Sequence, residues 1–207
     1  AASIKHADSI HKGLVHLHIL NPSRPAVPQI LCQNSKISRH AGQQPALFIL
    51  FKAGSGSYGR ISFQRLLHRK GLIRKKYLTL SFPYSNDGYS QVFGGETAEC
   101  VCQGLVDIFE FIGGVPPLLI FDNATGVGRR IGDVIHEAEL FSRFRAHYHF
   151  RVRFCNPYSG WEKGNVENKV GYLRRNHLVP IPRFDDLTEQ NKQFLVCCET
   201  DMQREHY

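Results

Sequence analysis

Acidic residues are missing from a long part of this sequence: there is no Asp or Glu between Ser9 and Asn86. All but one of the 18 acidic residues lie from Asp87 onwards, so the formal net charge of +8 comes from the first part of the chain. Such an asymmetry predicts a basic arm that binds nucleic acid. Apolar stretches such as ALFILF are not typical of a binding arm, however. The alternative is a stretch of codons that was not selected as protein sequence.

Long apolar runs and paired cysteines are also absent. No stretch approaches the roughly 18 apolar residues that a membrane span requires. The first residues are interrupted by His, Lys and Asp, so neither a membrane span nor a signal peptide is expected. The six cysteines form no CxxC pair. This disfavours a zinc site or a disulfide framework and is typical of proteins in a reducing cytoplasm.

From about residue 71 the pattern predicts alternating strands and helices. YLTLSF and YSQVF are predicted as antiparallel strands, ETAECVCQGLVDIFEFIGG as an amphipathic helix and VPPLLIFDNA as a buried central strand. A helix is expected around Val134–Ala146, followed by a strand in HYHFRVRFC. Two more helices are expected, one in GWEKGNVENKVGYLRR and one over Leu187–Glu205. Before residue 71 the signals are weak, although PALFILF could form a short strand.

This order predicts an α/β protein with a ribonuclease H-like mixed sheet flanked by helices. The first strand is lost or disguised before Gly71 and is therefore doubtful. We expect three regions. Residues 1–70 form an irregular basic segment, and residues 71–180 form the core, with a first strand that could begin at about residue 55. Residues 181–207 begin a C-terminal helical extension.

Two carboxylates are the candidate chemical groups of this core. Asp122 ends the buried strand, at the edge where open α/β sheets present functional groups. Glu167 lies on a later helix, where about 100° per residue places it close to Lys163 and Arg174. Oxygen ligands without a Cys or His cluster favour Mg²⁺ or Mn²⁺. Such ions can activate a water or a 3′-hydroxyl at a phosphodiester.

Cations on the same predicted helix are candidates for contacts with the phosphate backbone of DNA. They are Lys163, Lys169, Arg174 and Arg175. Structural explanations remain open for both carboxylates. Asp122 could form an Asx-turn with Asn123. Glu167 could form an ion pair with Lys163 at i, i+4.

Three segments resemble the catalytic core of IstA-type insertion-sequence transposases, which are relatives of retroviral integrases. The segments are FEFIGGVPPLLIFDNAT, AHYHFRVRFCNPYS and EKGNVENKVGYLRRN, and the resemblance extends from about Lys75 to Tyr207. It implies DNA transposition by metal-dependent strand cleavage and joining at an Asp-Asp-Glu site, with Asp122 as the second acid and Glu167 as the third. It also implies Mg²⁺ or Mn²⁺ as the cofactor, and the DNA ends of the insertion sequence and target DNA as partners. Further implications are a homo-oligomer on DNA, a helper ATPase and a location in the bacterial cytoplasm at the nucleoid.

The first acid of the family pattern is missing. Family members carry it in a segment of the type Gln-Val-Asp-aromatic-Gly, and here Ser57 stands before Tyr58 and Gly59 at the position of the Asp. Because Ser is a neutral, weak ligand, the resemblance implies an impaired enzyme. The stretch up to Ser57 also contains a single acid, Asp8. Residues 1–57 are therefore expected to be a frameshifted or degraded reading, and the DNA-binding regions on both sides of the family core are expected to be absent.

Two other functions remain open. The chain could be a non-catalytic, DNA-binding transposase remnant that interferes with an intact enzyme. A ribonuclease H-like nuclease acting on RNA–DNA hybrids is less favoured, because it would need several acids on the first strand and helix.

Overall fold

The computed structural model describes residues 47–51, 64–68, 71–82, 87–121, 126–131, 134–155 and 160–203. The described residues form eight strands and four helices. In chain order these elements are β1 (Leu47–Phe51), β2 (Gln64–His68), β3 (Gly71–Phe82), β4 (Asp87–Phe93), α1 (Ala98–Ile112), β5 (Leu118–Phe121), β6 (Gly128–Ile131), β7 (Val134–Glu137), α2 (Glu139–Tyr148), β8 (Arg151–Phe154), α3 (Gly160–His177) and α4 (Leu187–Asp201).

The main sheet has the order β4–β3–β1–β5–β8, and β2 pairs with the beginning of β3. Strand β3 runs antiparallel to its neighbours β1 and β4, whereas β1, β5 and β8 are parallel. Strands β6 and β7 form a separate hairpin. The predicted α/β class with a mixed sheet is confirmed. The VPPLLIF run does form a central strand, β5.

Local signals set the ends of α1. The hydroxyl of Thr97 accepts a hydrogen bond from the backbone N–H of Cys100 at the N-terminus. At the C-terminus Gly113 adopts φ 75°, a left-handed conformation that glycine tolerates best. The apolar face between these ends, including Leu105 and Phe109, is fully buried. Both the helix and its stop at Gly113 agree with the sequence prediction.

An aromatic cluster joins α1 and α2 to one face of the sheet. The ring centroids of Phe121 on β5 and Phe141 on α2 are 5.2 Å apart in an edge-to-face arrangement. Phe144 lies 5.7 Å from Phe150 and 6.3 Å from Phe109. Such pairs add about 0.5–1.5 kcal/mol each beyond the burial of their apolar area. The cluster therefore fixes α2 against the carboxyl end of β5 and against Phe150, which directly precedes β8.

The residues of the sheet beneath α3 have small or polar side chains. The hydroxyls of Thr79 on β3 and Ser90 on β4 are 2.6 Å apart and buried. A Cβ at Gly88 would lie 2.9 Å from Cγ of Lys169, so the glycine permits the close approach of α3 to β4. Helix α3 also packs against β1 and β3.

Two predicted elements have different bounds in the structure. The helix predicted around Val134–Ala146 is strand β7 followed by α2, because residues 134–137 alternate between exposed and half-buried positions and pair with β6. The strand predicted in HYHFRVRFC begins only at Arg151. His149 adopts φ 55° after α2 has ended at Tyr148.

Residues 1–70 are predicted to be irregular, but β1 and β2 lie within them. The first strand is found at Leu47–Phe51 rather than from about residue 55, and it lies between β3 and β5. Its sequence, LFILF, is a continuous apolar run, which is typical of a strand covered on both faces. The prediction of a short strand in PALFILF is thereby confirmed.

Residues 181–207 are predicted to begin an extension, yet α4 packs against β4 as part of the same core. Phe194, Leu195 and Cys198 of α4 are buried. The final helix ends at Asp201 instead of Glu205. None of the helices among the described residues is long and apolar enough to cross a membrane.

Candidate active site

Three parallel strands end at one edge of the sheet. Ile49 of β1 pairs with Phe121 of β5, which in turn pairs with Phe154 of β8. Asp122 follows Phe121 directly in the sequence, but residues 122–125 lie outside the described residues. Ser57, the position that the family resemblance assigns to the first acid, also lies outside them.

Glu167 lies on α3 and is exposed to solvent. The apolar side of the helix carries Val170 and Leu173, which are buried as predicted. Glu167 therefore lies on the solvent side of this apolar face. The side chain of Lys163 is outside the described part of α3, so the predicted ion pair between Lys163 and Glu167 stays a prediction.

The other predicted DNA-binding cations of α3 divide into two groups. Arg174 is half-buried, and Arg175 is exposed. At about 100° per residue, Arg174 lies within about 20° of Glu167 around the helix axis. The site candidates Glu167, Arg174 and Arg175 therefore belong to the part of α3 that solvent reaches.

Unlike these two arginines, Lys169 is buried, with only 8% of its surface exposed. Its stem packs against Gly88, and its ammonium lies 5.2 Å from the centre of the Tyr172 ring. Burial lowers the pKa of Lys169, and the charges of Asp87 and Asp201 oppose this shift. At about 100° per residue, Lys169 lies about 200° from Glu167 around the helix axis and so faces away from it. Lys169 thus packs between α3 and β4, and its phosphate contact stays a prediction.

A polar network fixes the second half of α3 to α4. The hydroxyl of Tyr172 donates a hydrogen bond of 2.9 Å to Oδ1 of Asp201. Nε2 of His177 lies 3.9 Å from Oδ2 of the same carboxylate, and the His177 ring contacts Phe194 at 5.9 Å between centroids. No sequence pattern pointed to this network, because its members are on two different helices.

A second polar contact links α4 to β4. The hydroxyl of Tyr89 donates a hydrogen bond of 2.7 Å to Oε2 of Glu199. Burial raises the pKa of Tyr89, and the hydrogen bond to Glu199 raises it further, so the phenol stays neutral and acts as a donor. Together the contacts of Tyr89, Tyr172 and His177 hold the helix that carries Glu167 in a fixed position on the sheet.

Carboxylate oxygens, which suit a hard divalent cation, are the candidate metal ligands of this site. Among the described residues, no group of three or more His, Cys, Asp or Glu side chains could hold a metal ion. Strand β1 contributes LFILF, with no carboxylate in it. The carboxylates that the sequence predicts for this site are Asp122 and Glu167. Their oxygens fit the ligand preference of Mg²⁺ and Mn²⁺, but two carboxylates are one fewer than the family pattern has.

Comparison with known proteins gives no matching family model. Parts of the chain are similar to curated transposases. A transposase of Aminobacter aminovorans is 41% identical over 86 residues, which are 40% of this chain and 17% of the relative. A putative transposase for insertion sequence element IS5376 of Geobacillus stearothermophilus is 32% identical over 110 residues, or 52% of this chain and 27% of the relative. The chain thus spans well under a third of the length of these relatives.

Among solved structures, the catalytic core domain of HTLV-2 integrase in complex with magnesium covers 73% of this chain, and 82% of that core domain is matched. Its TM-score is 0.47 and its sequence identity is 13%. The catalytic core domain of BIV integrase covers 80% of this chain and is itself matched over 88%, with a TM-score of 0.48 and 14% identity.

Proposed function

We propose that this chain is the catalytic-core part of an IstA-type insertion-sequence transposase, a protein that cleaves and joins DNA strands with Mg²⁺ or Mn²⁺. The observation that carries the proposal is the similarity to transposases, which reaches 41% identity over 86 residues. The mixed sheet supports it, because Asp122 directly follows the central strand β5. The exposed position of Glu167 on α3 also supports it, because a catalytic carboxylate has to reach DNA.

Asp122 and Glu167 would hold the metal ion in this proposal. A bound divalent cation supplies Lewis acidity and lowers the pKa of a coordinated water or hydroxyl group. The contributions of the chain itself are electrostatic. Glu167 and Asp122 provide the negative charge that attracts the cation, and Arg174 and Arg175 neutralise phosphates of the DNA that crosses α3.

The proposed enzyme is impaired in this chain. The central strand β1 carries no acid, and Ser57 occupies the position of the first Asp in the family pattern. Removing one of three carboxylates leaves too little negative charge for two cations at close distance. We therefore expect metal-dependent strand transfer at or near background. A non-catalytic, DNA-binding remnant of a transposase is the second candidate function, and the absence of an acid from β1 favours it.

The origin of residues 1–57 in a shifted reading frame is part of the same proposal. It rests on the composition of this stretch, in which Asp8 is the only acid, and it has to account for β1, which lies within the stretch and pairs with β3 and β5. Translation of the corresponding DNA in the other two frames should give a Gln-x-Asp-aromatic-Gly motif. If neither of those frames encodes the motif, the frameshift explanation fails.

The proposed partners follow from the family resemblance. They are the DNA ends of the insertion sequence, target DNA, further copies of the chain and a helper ATPase encoded nearby, all in the bacterial cytoplasm at the nucleoid. The DNA flanking the gene supplies the terminal repeats that are needed as substrates.

The test is a binding and joining assay with the purified chain, labelled terminal-repeat DNA and Mg²⁺ or Mn²⁺. We expect salt-dependent DNA binding without joined product. Joined product that depends on the metal would contradict the impairment. Failure to bind DNA at low salt would contradict the transposase proposal itself.

A further inference from the structure

Gly171 lies inside helix α3, where glycine is an unfavourable residue. The helix runs from Gly160 to His177, so position 171 is neither its first nor its last turn. Glycine destabilises the interior of a helix relative to alanine, because it loses more conformational freedom on folding. Gly171 has no positive φ, unlike Gly71 and Gly113. The backbone conformation at position 171 therefore does not explain the glycine.

The surroundings of Gly171 differ from those of a glycine that permits close packing. A Cβ at Gly104 of α1 would lie 2.5 Å from Cδ2 of Leu78 on β3, so that glycine lets the helix approach the sheet. At Gly171 the three nearest atoms all belong to the guanidinium group of Arg175. A Cβ there would lie 3.2 Å from Nη1 and 3.9 Å from Cζ and Nη2. The space of the missing side chain is thus closest to the end of an exposed side chain.

Arg175 reaches Gly171 by folding back along α3. Side chains of a helix lean towards its N-terminus, and residues four positions apart are neighbours on the helix surface. The same row continues to Glu167, which lies four residues before Gly171 and about 6 Å from it along the helix axis. Arg175 and Glu167 are exposed, and Gly171 is half-buried. The guanidinium group of Arg175 is therefore directed along α3 towards the turn that carries Glu167.

An arginine near the end of a helix also has a structural explanation. Its charge interacts favourably with the carbonyl groups at the helix C-terminus. Arg174 supplies a positive charge in the same last turn. The interaction with the carbonyl groups requires neither a glycine four residues earlier nor a guanidinium group that is turned away from the C-terminus. The geometry at Gly171 is better explained by a contact made on the row of Glu167.

We propose that Gly171 is a positioning residue, which lets the guanidinium group of Arg175 lie against α3 and bind a DNA phosphate close to Glu167. This role rests on the proposed function and deepens it, because it assigns one phosphate contact to a defined place on α3. A guanidinium group can form two parallel hydrogen bonds with a phosphate. A group that is already held in its bound position loses less conformational freedom on binding. A side chain at position 171 would displace the guanidinium group from the helix.

The test is a double-mutant cycle in DNA binding, measured by fluorescence anisotropy at low salt with the full chain and a labelled duplex. Gly171→Ala should weaken binding by on the order of threefold, because Arg175 keeps its charge but loses its position. Arg175→Gln should weaken binding by on the order of fivefold, because the phosphate contact itself is lost. Gly171→Ala should have no further effect in the Arg175→Gln background, because Gly171 acts through Arg175.

Urea unfolding of the same variants separates this role from a folding defect. Gly171→Ala should unfold at the same or a higher urea concentration than the original chain, because alanine has the higher helix propensity. Weaker DNA binding by a variant that is at least as stable cannot result from loss of the fold. Gln193→Ala changes an exposed residue of α4 and is the control, which should bind DNA like the original chain.

Three results would overturn this inference alone. The first is equal binding by Gly171→Ala and the original chain. The second is an equal loss of binding in the original and the Arg175→Gln backgrounds, which would show that position 171 acts independently of Arg175. The third is a lower unfolding midpoint of Gly171→Ala, which would show that the space at Gly171 serves packing. Absence of DNA binding by the original chain would overturn the proposed function as well.

Discussion

The side chain of Asn191 and the backbone of Val92 form a reciprocal pair of hydrogen bonds. The N–H of Val92 donates to Oδ1 of Asn191 at 2.7 Å, and Nδ2 of Asn191 donates to the carbonyl oxygen of Val92 at 2.9 Å. Both groups are buried, and the two residues are 99 positions apart in the sequence. The carboxamide thus takes the place of a neighbouring strand and satisfies the outer edge of β4.

Replacing Asn191 should destabilise the whole fold. In Asn191→Leu the backbone N–H and carbonyl of Val92 lose their partners while they remain buried. We expect the free energy of unfolding to fall by about 2–4 kcal/mol, since each unsatisfied group costs about 1–3 kcal/mol. Urea unfolding measures the change. The exposed neighbour substitution Lys192→Leu is the control and should stay within about 0.5 kcal/mol. Equal stability of both variants would show that the pair contributes little.

Gly88 should not tolerate a larger side chain. In Gly88→Ala the new Cβ would lie 2.9 Å from Cγ of Lys169 and 3.1 Å from the carbonyl oxygen of Leu80. The backbone contact cannot be relieved by a side-chain rotation, so we expect a loss of about 1–3 kcal/mol in thermal or urea unfolding.

Gly94→Ala is the matched control for this substitution, because its Cβ would meet only Nζ of Lys75, at 3.7 Å. Adding Lys169→Ala to Gly88→Ala should restore part of the lost stability, which a double-mutant cycle would quantify. If Gly88→Ala were as stable as Gly94→Ala, α3 would not approach β4 as described.

Lys169 and Arg175 should differ in their effect on DNA binding, although both are cations of α3. Arg175→Gln should reduce the slope of log K against log salt by about 1, as expected for one lost phosphate contact. Lys169→Met should leave that slope unchanged, because its ammonium is buried against Tyr172. A reduced slope in Lys169→Met, with unchanged thermal stability, would support the prediction that Lys169 contacts DNA.

The stability of the chain should depend on Lys169 in alkaline solution. Burial lowers the pKa of this lysine in the folded state from its ordinary value of 10.5. Between the lowered and the ordinary value, the unfolded chain binds more protons than the folded one, so stability rises with pH in that window. The original chain should therefore gain stability relative to Lys169→Met as pH increases towards 10.5, measured by urea unfolding. A constant difference between the two would contradict the lowered pKa.

Metal binding should depend on the two remaining carboxylates. Mn²⁺ should raise the unfolding temperature slightly, because a ligand that binds only the folded state stabilises it. Asp122→Asn and Glu167→Gln should each remove that increase. Glu189→Gln, an exposed acid in the first turn of α4, should keep it. An increase that survives in Glu167→Gln would place the metal elsewhere.

Sequence patterns were most successful where the structure depends on near neighbours. The amphipathic helix α1, its stop at Gly113 and the buried strand β5 were all predicted, because apolar periodicity, glycine stops and apolar runs act within a few residues. The errors occurred where two patterns competed. Residues 134–137 were predicted as helix and form β7, since pairing with β6 outweighs a weak local preference. The first strand was expected from about residue 55 and is found at Leu47–Phe51.

The sequence by itself determined that the chain has an acid after a central strand, an acid on a later helix and no acid on the first strand. Each of these statements concerns one residue and its immediate neighbours. Only the tertiary structure decided that Lys169 is buried while Arg175 is exposed, and that Asn191 completes the edge of β4. The reason is that burial and pairing depend on residues brought together from distant parts of the chain, and such contacts have no periodic signature in the sequence.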